Sequence, residues 1–248
     1  PMELANALKN TGVKAGSSFV STLLSAFEIF LYTQTEQDTI VLGLPSADQA
    51  ASGRTQMIGH CVNLLPLRSK IDPTISFNDY LKVRKTQLFD AYEHQKFSFG
   101  ELLQKLAIAR DPSRVPLVPV VFNIDMGMDN GVSFSGLDYK LKSNPRAYET
   151  FEIFLNASGS AEELVLEWSY NSNLFKPETI HKMMETFVGM IETVVADPSI
   201  KIGDIIKTDV SAYAELNDTT VDYPKVPLHE LLFKQAKVNP SKTALKFQ

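Results

Sequence analysis

Cysteine is almost absent from this sequence, because Cys61 is the only one among 248 residues. A single cysteine excludes an internal disulfide and favours a reducing compartment. No apolar run approaches the roughly 20 residues that a helix needs to cross a bilayer, and no secretory leader is visible. Because the chain starts at Pro1, we expect it to be a piece of a longer protein. Together these features predict a cytoplasmic location and no membrane partner.

Several motifs of common enzyme classes are also missing. The sequence contains no phosphate-binding loop, no dinucleotide glycine fingerprint and no Gly-x-Ser-x-Gly elbow. Lys and Arg number 24 against 29 Asp and Glu, and they are scattered, so no basic face for nucleic acid is expected. His60 and Cys61 are neighbours in a predicted strand, where adjacent side chains point to opposite faces. We therefore predict no nucleic-acid partner and no metal site.

The segments that are present alternate between helical and strand-like patterns, which predicts an α/β fold. Hydrophobic residues make up 44% of the chain, enough for one large domain or two small ones. The predicted helices are Met2–Leu8, Ser18–Thr33, Ser76–Tyr92, Ser98–Ala109 and Pro177–Val195. The predicted strands are Thr39–Leu44, Cys61–Leu67, Pro116–Ile124 and a hairpin of Thr150–Ala157 with Glu163–Tyr170.

The least generic run is Met57-Ile-Gly-His-Cys-Val-Asn-Leu-Leu-Pro-Leu-Arg68. Gly59 permits a close approach of backbone or ligand, and Pro66 indicates an edge or the end of a strand. Asn63 lies among apolar neighbours and needs hydrogen-bond partners if it is buried. Strand alternation places Cys61, Asn63 and Leu65 on one face and Val62, Leu64 and Leu67 on the other.

This run resembles a core motif of nonribosomal peptide synthetase condensation domains, Ile-Gly-x-Phe-Val-Asn-Thr-Leu-x-Leu-Arg. Cys61 stands for the usual Phe and Leu64 for the usual Thr. Two later segments, His94–Phe99 and Arg110–Leu117, resemble the next two motifs of that family in the same order. The resemblance covers nearly the whole chain. It implies an α/β fold like a chloramphenicol acetyltransferase (CoA-dependent acyltransferase) lobe, with a mixed β-sheet flanked by helices.

The catalytic signature of that family, His-His-x-x-x-Asp-Gly, does not occur, since no two histidines are adjacent. The resemblance therefore implies that residues 1–207 are the C-terminal lobe of a condensation domain. Residues 208–226 resemble the following linker. Residues 227–248 resemble the start of an adenylation domain, with a helix at Leu228–Pro240 and a strand at Thr243–Phe247. We expect no catalytic residue in this chain and no activity of the chain alone.

The resemblance implies amide-bond formation between an acyl or peptidyl donor and an aminoacyl acceptor, both bound to carrier proteins. The expected partners are the N-terminal condensation lobe, the donor and acceptor peptidyl carrier proteins and a downstream adenylation domain. No cofactor is expected to bind directly, because phosphopantetheine arrives on the carriers. Two alternatives remain: an epimerisation domain, which shares the fold, and a non-catalytic module that only docks carriers.

Candidate residues follow from the three motifs and from a polar residue inside a predicted strand. The expected tunnel-lining residues are Gly59, His60, Asn63 and Asn123. The residues expected to brace the fold are Arg68, Arg110, Asp111, Ser113 and Arg114.

Overall fold

The computed structural model describes residues 1–47, 53, 56–109, 111–126, 134–138, 144, 146–159, 163–205, 219, 221, 222 and 224–247. The chain divides into two compact units, Pro1–Lys207 and Thr208–Gln248, and each is described by itself. Most of the predicted linker, residues 208–226, lies outside the described residues.

The described residues of the first unit form five α-helices and five strands, which confirms the predicted mixed α/β class. The helices are α1 (Met2–Lys14), α2 (Phe19–Thr35), α3 (Phe77–Glu93), α4 (Phe99–Leu106) and α5 (Pro177–Ala196), followed by a 3-10 turn at Ile202–Asp204. The strands are β1 (Thr39–Ala47), β2 (Val62–Lys70), β3 (Val120–Met126), β4 (Ile153–Gly159) and β5 (Leu164–Tyr170).

The strands form one mixed sheet in the order β2-β1-β3-β4-β5. The two outer pairs, β1 with β2 and β4 with β5, are antiparallel, whereas β1 with β3 and β3 with β4 are parallel. Pro66 lies within β2, at the edge of the sheet, where its missing N–H costs no internal ladder bond. The predicted edge position of this proline is therefore confirmed.

The two faces of the sheet are covered differently. The first face packs on α1, α2, α3 and α5 in the main core, where Trp168 of β5 meets the rings of Phe27, Phe30 and Phe187 edge-on. The second face carries a smaller cluster that includes Val121, Phe154 and Phe99 at the start of α4. The sheet thus separates the main core, which four helices cover, from the smaller apolar cluster on its other face.

Leu67 corrects one prediction about β2. Leu67 and Leu65 are both buried in the main core, so they share the first face, whereas Leu64 packs in the smaller cluster. Pro66 does not interrupt the strand, which continues to Lys70, and the alternation of side chains therefore runs through it.

Serine side chains begin three of the helices, as the capping patterns predict. Ser18 accepts from the Ser21 N–H, Ser76 from the Asp79 N–H, and Ser98 forms a capping box with Glu101. The predicted end of α4 at Ala109 is wrong, because Ala107 is left-handed and the helix ends at Leu106. Likewise β3 begins at Val120 rather than Pro116, since Leu117 has a φ of 65° and Pro119 has no N–H.

Helix α1 runs to Lys14, whereas the sequence predicts an end at Leu8 because Asn10-Thr-Gly12 follows. A Cβ at Gly12 would lie 2.0 Å from Thr22 Oγ1, so the glycine lets α1 approach α2 closely. The residue is therefore a packing contact inside the helix rather than a stop.

The second unit contains one described helix, α6 (Leu228–Val238), where the sequence predicts one. The strand predicted at Thr243–Phe247 is not formed. Throughout the described part of the chain, no single helix is both long and apolar enough to cross a membrane. The pair of α1 and α2 meets that test only when taken together, and it bends by 102° at the junction.

Candidate functional site

The first motif begins as an extended segment before β2. Gly59 and His60 are exposed there, Ile58 is fully exposed, and Cys61 is a half-buried free thiol. His60 and Cys61 both precede the strand rather than lying in it as predicted. Among the residues described, no three His, Cys, Asp or Glu side chains are placed to hold one metal ion.

Asn63, at the second position of β2, holds the connection between α3 and α4. Its Nδ2 donates to the backbone oxygens of Gln95 and Phe97, both at 2.9 Å, and its Oδ1 accepts from the Phe99 N–H at 3.2 Å. On β1, Ser46 Oγ donates to Gln95 Oε1 at 2.8 Å. Both the nitrogen and the oxygen of the Asn63 side-chain amide thus form hydrogen bonds within the chain. The segment that Asn63 holds is the second motif, His94–Phe99.

The third motif forms a turn that is tied to β4. Asp111 Oδ1 accepts from both the N–H and the Oγ of Ser113, which lowers the pKa of the Asp111 carboxyl. Arg114 Nη2 pairs with Glu152 Oε1 at 2.5 Å, just before β4 begins. Arg68 is exposed on β2, and Arg110 lies outside the described residues.

Asn123, in the middle of β3, belongs to a hydrogen-bonded series of side chains across three strands. Its Nδ2 donates to Asp125 Oδ2 at 2.8 Å and to Asn156 Oδ1 at 2.9 Å. Asn156 Nδ2 in turn donates to Glu167 Oε2 at 3.2 Å. We call Asn123, Asp125, Asn156 and Glu167 the Asn123 row. All four are half-buried, and two of them are carboxylates.

The four expected tunnel residues do not come together in one group. Asn63 is two residues from Leu65, which packs in the main core, so Asn63 lies on the first face of the sheet. Asn123 is two residues from Val121, which packs in the smaller cluster, so the Asn123 row lies on the second face. Of the four residues, Asn123 is the one whose side-chain amide bonds to other polar side chains, those of the Asn123 row.

Sequence reasoning missed the other three members of the Asn123 row. Asn156 lies opposite Glu167 in the register of the β4–β5 hairpin. The sequence predicts that hairpin, so extending the pairing of its two strands residue by residue would have found this contact. No local signal links Asn123 to Asn156, because they are 33 positions apart.

A second polar group, fully buried in the main core, was also missed. Glu28 of α2 accepts from Ser69 Oγ at 2.7 Å, from Tyr80 OH at 2.9 Å and from Arg84 Nε at 2.7 Å. Arg84 Nη2 also pairs with Glu28 Oε1 at 2.5 Å. We call Glu28, Ser69, Tyr80 and Arg84 the Glu28 cluster. It joins α2, α3 and β2 away from solvent.

Burial dominates the electrostatics of the Glu28 cluster. Burial raises the pKa of the Tyr80 hydroxyl well above 10, and the Glu28 carboxylate raises it further. Burial alone would lower the pKa of Arg84, but the adjacent Glu28 carboxylate more than offsets this, so that pKa is raised. The cluster therefore holds an ion pair and a neutral phenol, which suits a bracing role.

A family model described as "Condensation domain" matches residues 1–216. Tyrocidine synthase 3 from Brevibacillus parabrevis is 28% identical over 254 residues, covering 99% of this chain and 4% of that protein. Bacitracin synthase 1 from Bacillus licheniformis is 28% identical over 255 residues, covering 99% of this chain and 5% of that protein. The chain thus spans a small part of the curated relatives that it matches.

Two solved structures show the same fold. A holo four-domain nonribosomal peptide synthetase bound to AMP and glycine aligns with a TM-score of 0.76 and 23% identity, covering 96% of this chain and 20% of that one. The first condensation domain of the CDA synthetase aligns with a TM-score of 0.67 and 19% identity, covering 83% of this chain and 46% of that one. These similarities show that the mixed sheet and its helices have the fold of solved condensation domains.

Proposed function

Because this chain belongs to the condensation-domain family of nonribosomal peptide synthetases, we propose that it is the C-terminal half of such a domain. The observation that carries this proposal is the alignment of 83% of the chain with 46% of a solved condensation domain. The order of the three motifs supports it, as does the lack of any adjacent histidine pair among these residues. In this proposal the catalytic histidines come from a lobe outside the 248 residues.

The proposed reaction joins two substrates that carrier proteins deliver as phosphopantetheine thioesters. The acceptor amine attacks the donor thioester carbonyl, a C–N bond forms, and the C–S bond breaks to release the carrier thiol. The amine proton passes to a base on the other lobe and then to the leaving thiolate. Positioning of two tethered reactants can supply a large share of the rate enhancement. The downstream residues would continue into an adenylation domain.

Within this chain we assign the direct substrate contact to Asn123. Both Nδ2 hydrogens are used by Asp125 and Asn156, which fixes the orientation of the amide. No residue of the described ranges donates to Asn123 Oδ1, so this oxygen can accept from an N–H of the attacking amine. Asp125, Asn156 and Glu167 are positioning residues in this proposal, because they act through Asn123.

In this proposal the other motif residues have two roles, either near the tunnel or as braces of the fold. Gly59 and His60 belong to the exposed segment that leads into β2 and would face the second lobe. Asn63 holds the α3–α4 connection through backbone contacts, so its contribution to catalysis would be indirect. Asp111, Ser113 and Arg114 would brace the turn before β3. Arg68 and Arg110 are also proposed as braces of the fold.

The test compares Asn123→Ala with Asn63→Ala in a protein extended upstream through the complete catalytic lobe. Amide formation is measured in single turnover with loaded donor and acceptor carriers. We expect Asn123→Ala to slow the reaction about 10- to 100-fold at unchanged stability, because the amine loses its orienting acceptor. We expect Asn63→Ala to lower stability more than rate.

Each other outcome has a defined meaning. An unchanged rate in Asn123→Ala would remove this residue from the substrate contact. Amide formation by the 248-residue chain alone would show that a base lies within it, against the proposal. Inversion of a carrier-bound residue without amide formation would identify an epimerisation domain, and carrier binding without either reaction would identify a docking module.

A further inference from the structure

A cavity of about 270 Å³ lies between the start of α2 and the last turns of α3. Its walls are mainly apolar and are formed by Val20, Leu88, Phe89 and Tyr92. Phe89 is 63% exposed, so one wall is an aromatic ring that faces water. The volume is near the lower limit for small-molecule sites, which suits a ligand of metabolite size.

One end of this cavity is electrically positive. It meets the N-terminus of α2, a helix of 17 residues. Ser18 Oγ accepts from the Ser21 N–H, whereas the N–H groups of Phe19 and Val20 have no acceptor among the described residues. A Cβ built on Gly16 would lie 3.8 Å from Lys85 Nζ, so this ammonium group rests against the turn that precedes α2. Lys85 makes no ion pair with any residue that the structure describes. Among the residues that line the cavity, none is acidic.

Two buried hydroxyl groups near the start of α2 have no partner within the described ranges, and one of them lines the cavity. Ser21 lines the cavity and is 3% exposed, and Ser17 lies in the turn before α2 and is 4% exposed. Neither Oγ makes a hydrogen bond. Buried hydroxyls are nearly always paired in native proteins. The unpaired hydroxyl of Ser21, which lines the cavity beside a helix N-terminus and a lysine, therefore indicates a missing acceptor group.

We propose that this cavity binds a small monocarboxylate with an apolar body. The carboxylate would lie at the N-terminus of α2, where Lys85 supplies a cation and Ser21 a hydroxyl donor. The apolar body would pack along Leu88, Phe89 and Tyr92. The site is on the helical side of the sheet, it is separate from the Asn123 row, and it does not depend on the proposed amide-forming activity.

The test titrates the 248-residue chain with three six-carbon probes: hexanoate, hexanol and hexylamine. Binding is followed by calorimetry and by the shifts of backbone amide signals in NMR spectra. We expect saturable binding of hexanoate, roughly 5-fold weaker binding of hexanol and no binding of hexylamine, because a positive site selects the carboxylate. The apolar chain of hexanoate is one methylene shorter than that of the other two probes, so chain length cannot explain tighter binding of hexanoate. The Phe19 and Val20 amides should shift most with hexanoate.

Variants then locate the contacts. We expect Lys85→Gln to weaken hexanoate binding about 3- to 10-fold and Ser21→Ala about 3-fold, since each removes one head-group contact. Lys82→Gln is the matched control, because Lys82 is on the same helix but pairs with Asp79 and does not line the cavity. Its affinity for hexanoate should equal that of the wild type. Circular dichroism of Ser21→Ala tests whether this variant is folded.

Three results would overturn the proposal. The first is no saturable binding of hexanoate to the wild-type chain. The second is equal affinity for hexanoate and hexanol, which would indicate an apolar groove without anion selection. The third is an equal loss in Lys85→Gln and Lys82→Gln, which would indicate non-specific attraction to surface charge.

Discussion

The Glu28 cluster and the Asn123 row are built from similar groups, carboxylates that accept from nearby donors, but they differ in their access to water. Every member of the Glu28 cluster is buried, and its partners come from α2, α3 and β2. Every member of the Asn123 row is half-buried, and its partners lie on neighbouring strands. Hydrogen bonding alone therefore does not identify a functional group.

The physical difference lies in what happens when one partner is removed. In a dehydrated cluster the remaining charge has no substitute for its lost partner, so the folded state becomes much less stable. In a half-buried row, water can replace a lost partner, so stability changes little. A row of this kind can exchange water for substrate, whereas the Glu28 cluster cannot.

The largest effect is expected from Glu28→Gln. The Arg84 guanidinium would keep its burial but lose its ion pair, and we expect the free energy of unfolding to fall by about 3–5 kcal/mol. Urea denaturation of the 248-residue chain measures this, with Glu185→Gln on the exposed side of α5 as control. A loss below about 1 kcal/mol would mean that water reaches the cluster, and the contrast between the two groups would disappear.

An intermediate effect is expected from Asn63→Ala. The substitution leaves two backbone oxygens and one N–H of the α3–α4 connection without their partner, at a cost of about 1–3 kcal/mol. The same denaturation measurement applies, and Asn173→Ala in an exposed turn is the control. If both alanine variants unfold alike, the backbone contacts of Asn63 contribute little, and Asn63 resembles the Asn123 row rather than a brace.

A smaller, pH-dependent effect is expected from Tyr80→Phe. The folded-state pKa of Tyr80 is raised, so its stabilising contribution is present below the unfolded pKa of about 10 and is lost as the pH rises above it. The stability advantage of wild type over Tyr80→Phe should therefore shrink above pH ~10, by up to about 1.4 kcal/mol per pH unit. Tyr148→Phe, at an exposed site, is the control. An advantage that is constant with pH would contradict the dehydration of Tyr80.

The smallest change in stability is expected from Glu167→Gln. The new amide oxygen can still accept from Asn156, and the site is half-buried, so the loss should stay below about 0.5 kcal/mol. In the extended domain, amide formation should slow by roughly 3- to 10-fold, because the orientation of Asn123 is less well fixed. A large stability loss without a change in rate would make the Asn123 row a second structural cluster.

Local chemistry made much of the fold predictable. Ser18, Ser76 and Ser98 mark helix starts because their hydroxyls satisfy N–H groups within three residues, so the signal is contained in the sequence itself. Pro66 indicates an edge strand because proline has no N–H to donate to a neighbouring strand, which is also a property of the residue itself. By contrast, Gly12 wrongly indicates a helix end, because its contact with Thr22 depends on how two helices cross.

The candidate site was less predictable, because its contacts are long-range. Asn63 is expected to need hydrogen-bond partners, and it has them, but the sequence could not name Gln95 or Phe97. Glu28 stands in the sequence as one polar residue in an apolar helix stripe. Its partners are between 41 and 56 positions away and meet it only when α3 and β2 pack on α2.

The pairing between β1 and β3 has a consequence for how the sheet opens. These strands share one registered pair, Gly43 with Val121, whereas β3 and β4 are registered along their full length. A Cβ at Gly43 would lie 2.6 Å from Val118 Cγ1 and 2.8 Å from Leu64 Cδ1, so side chains close over this line from the second face. The sheet thus consists of two ladders, β2–β1 and β3–β4–β5, that are joined by a short parallel pairing at Gly43. The backbone amides of the sheet should therefore exchange with solvent as two cooperative sets, one for each ladder. A methyl group at position 43 would clash with Val118 and Leu64 and weaken the pairing between the two ladders.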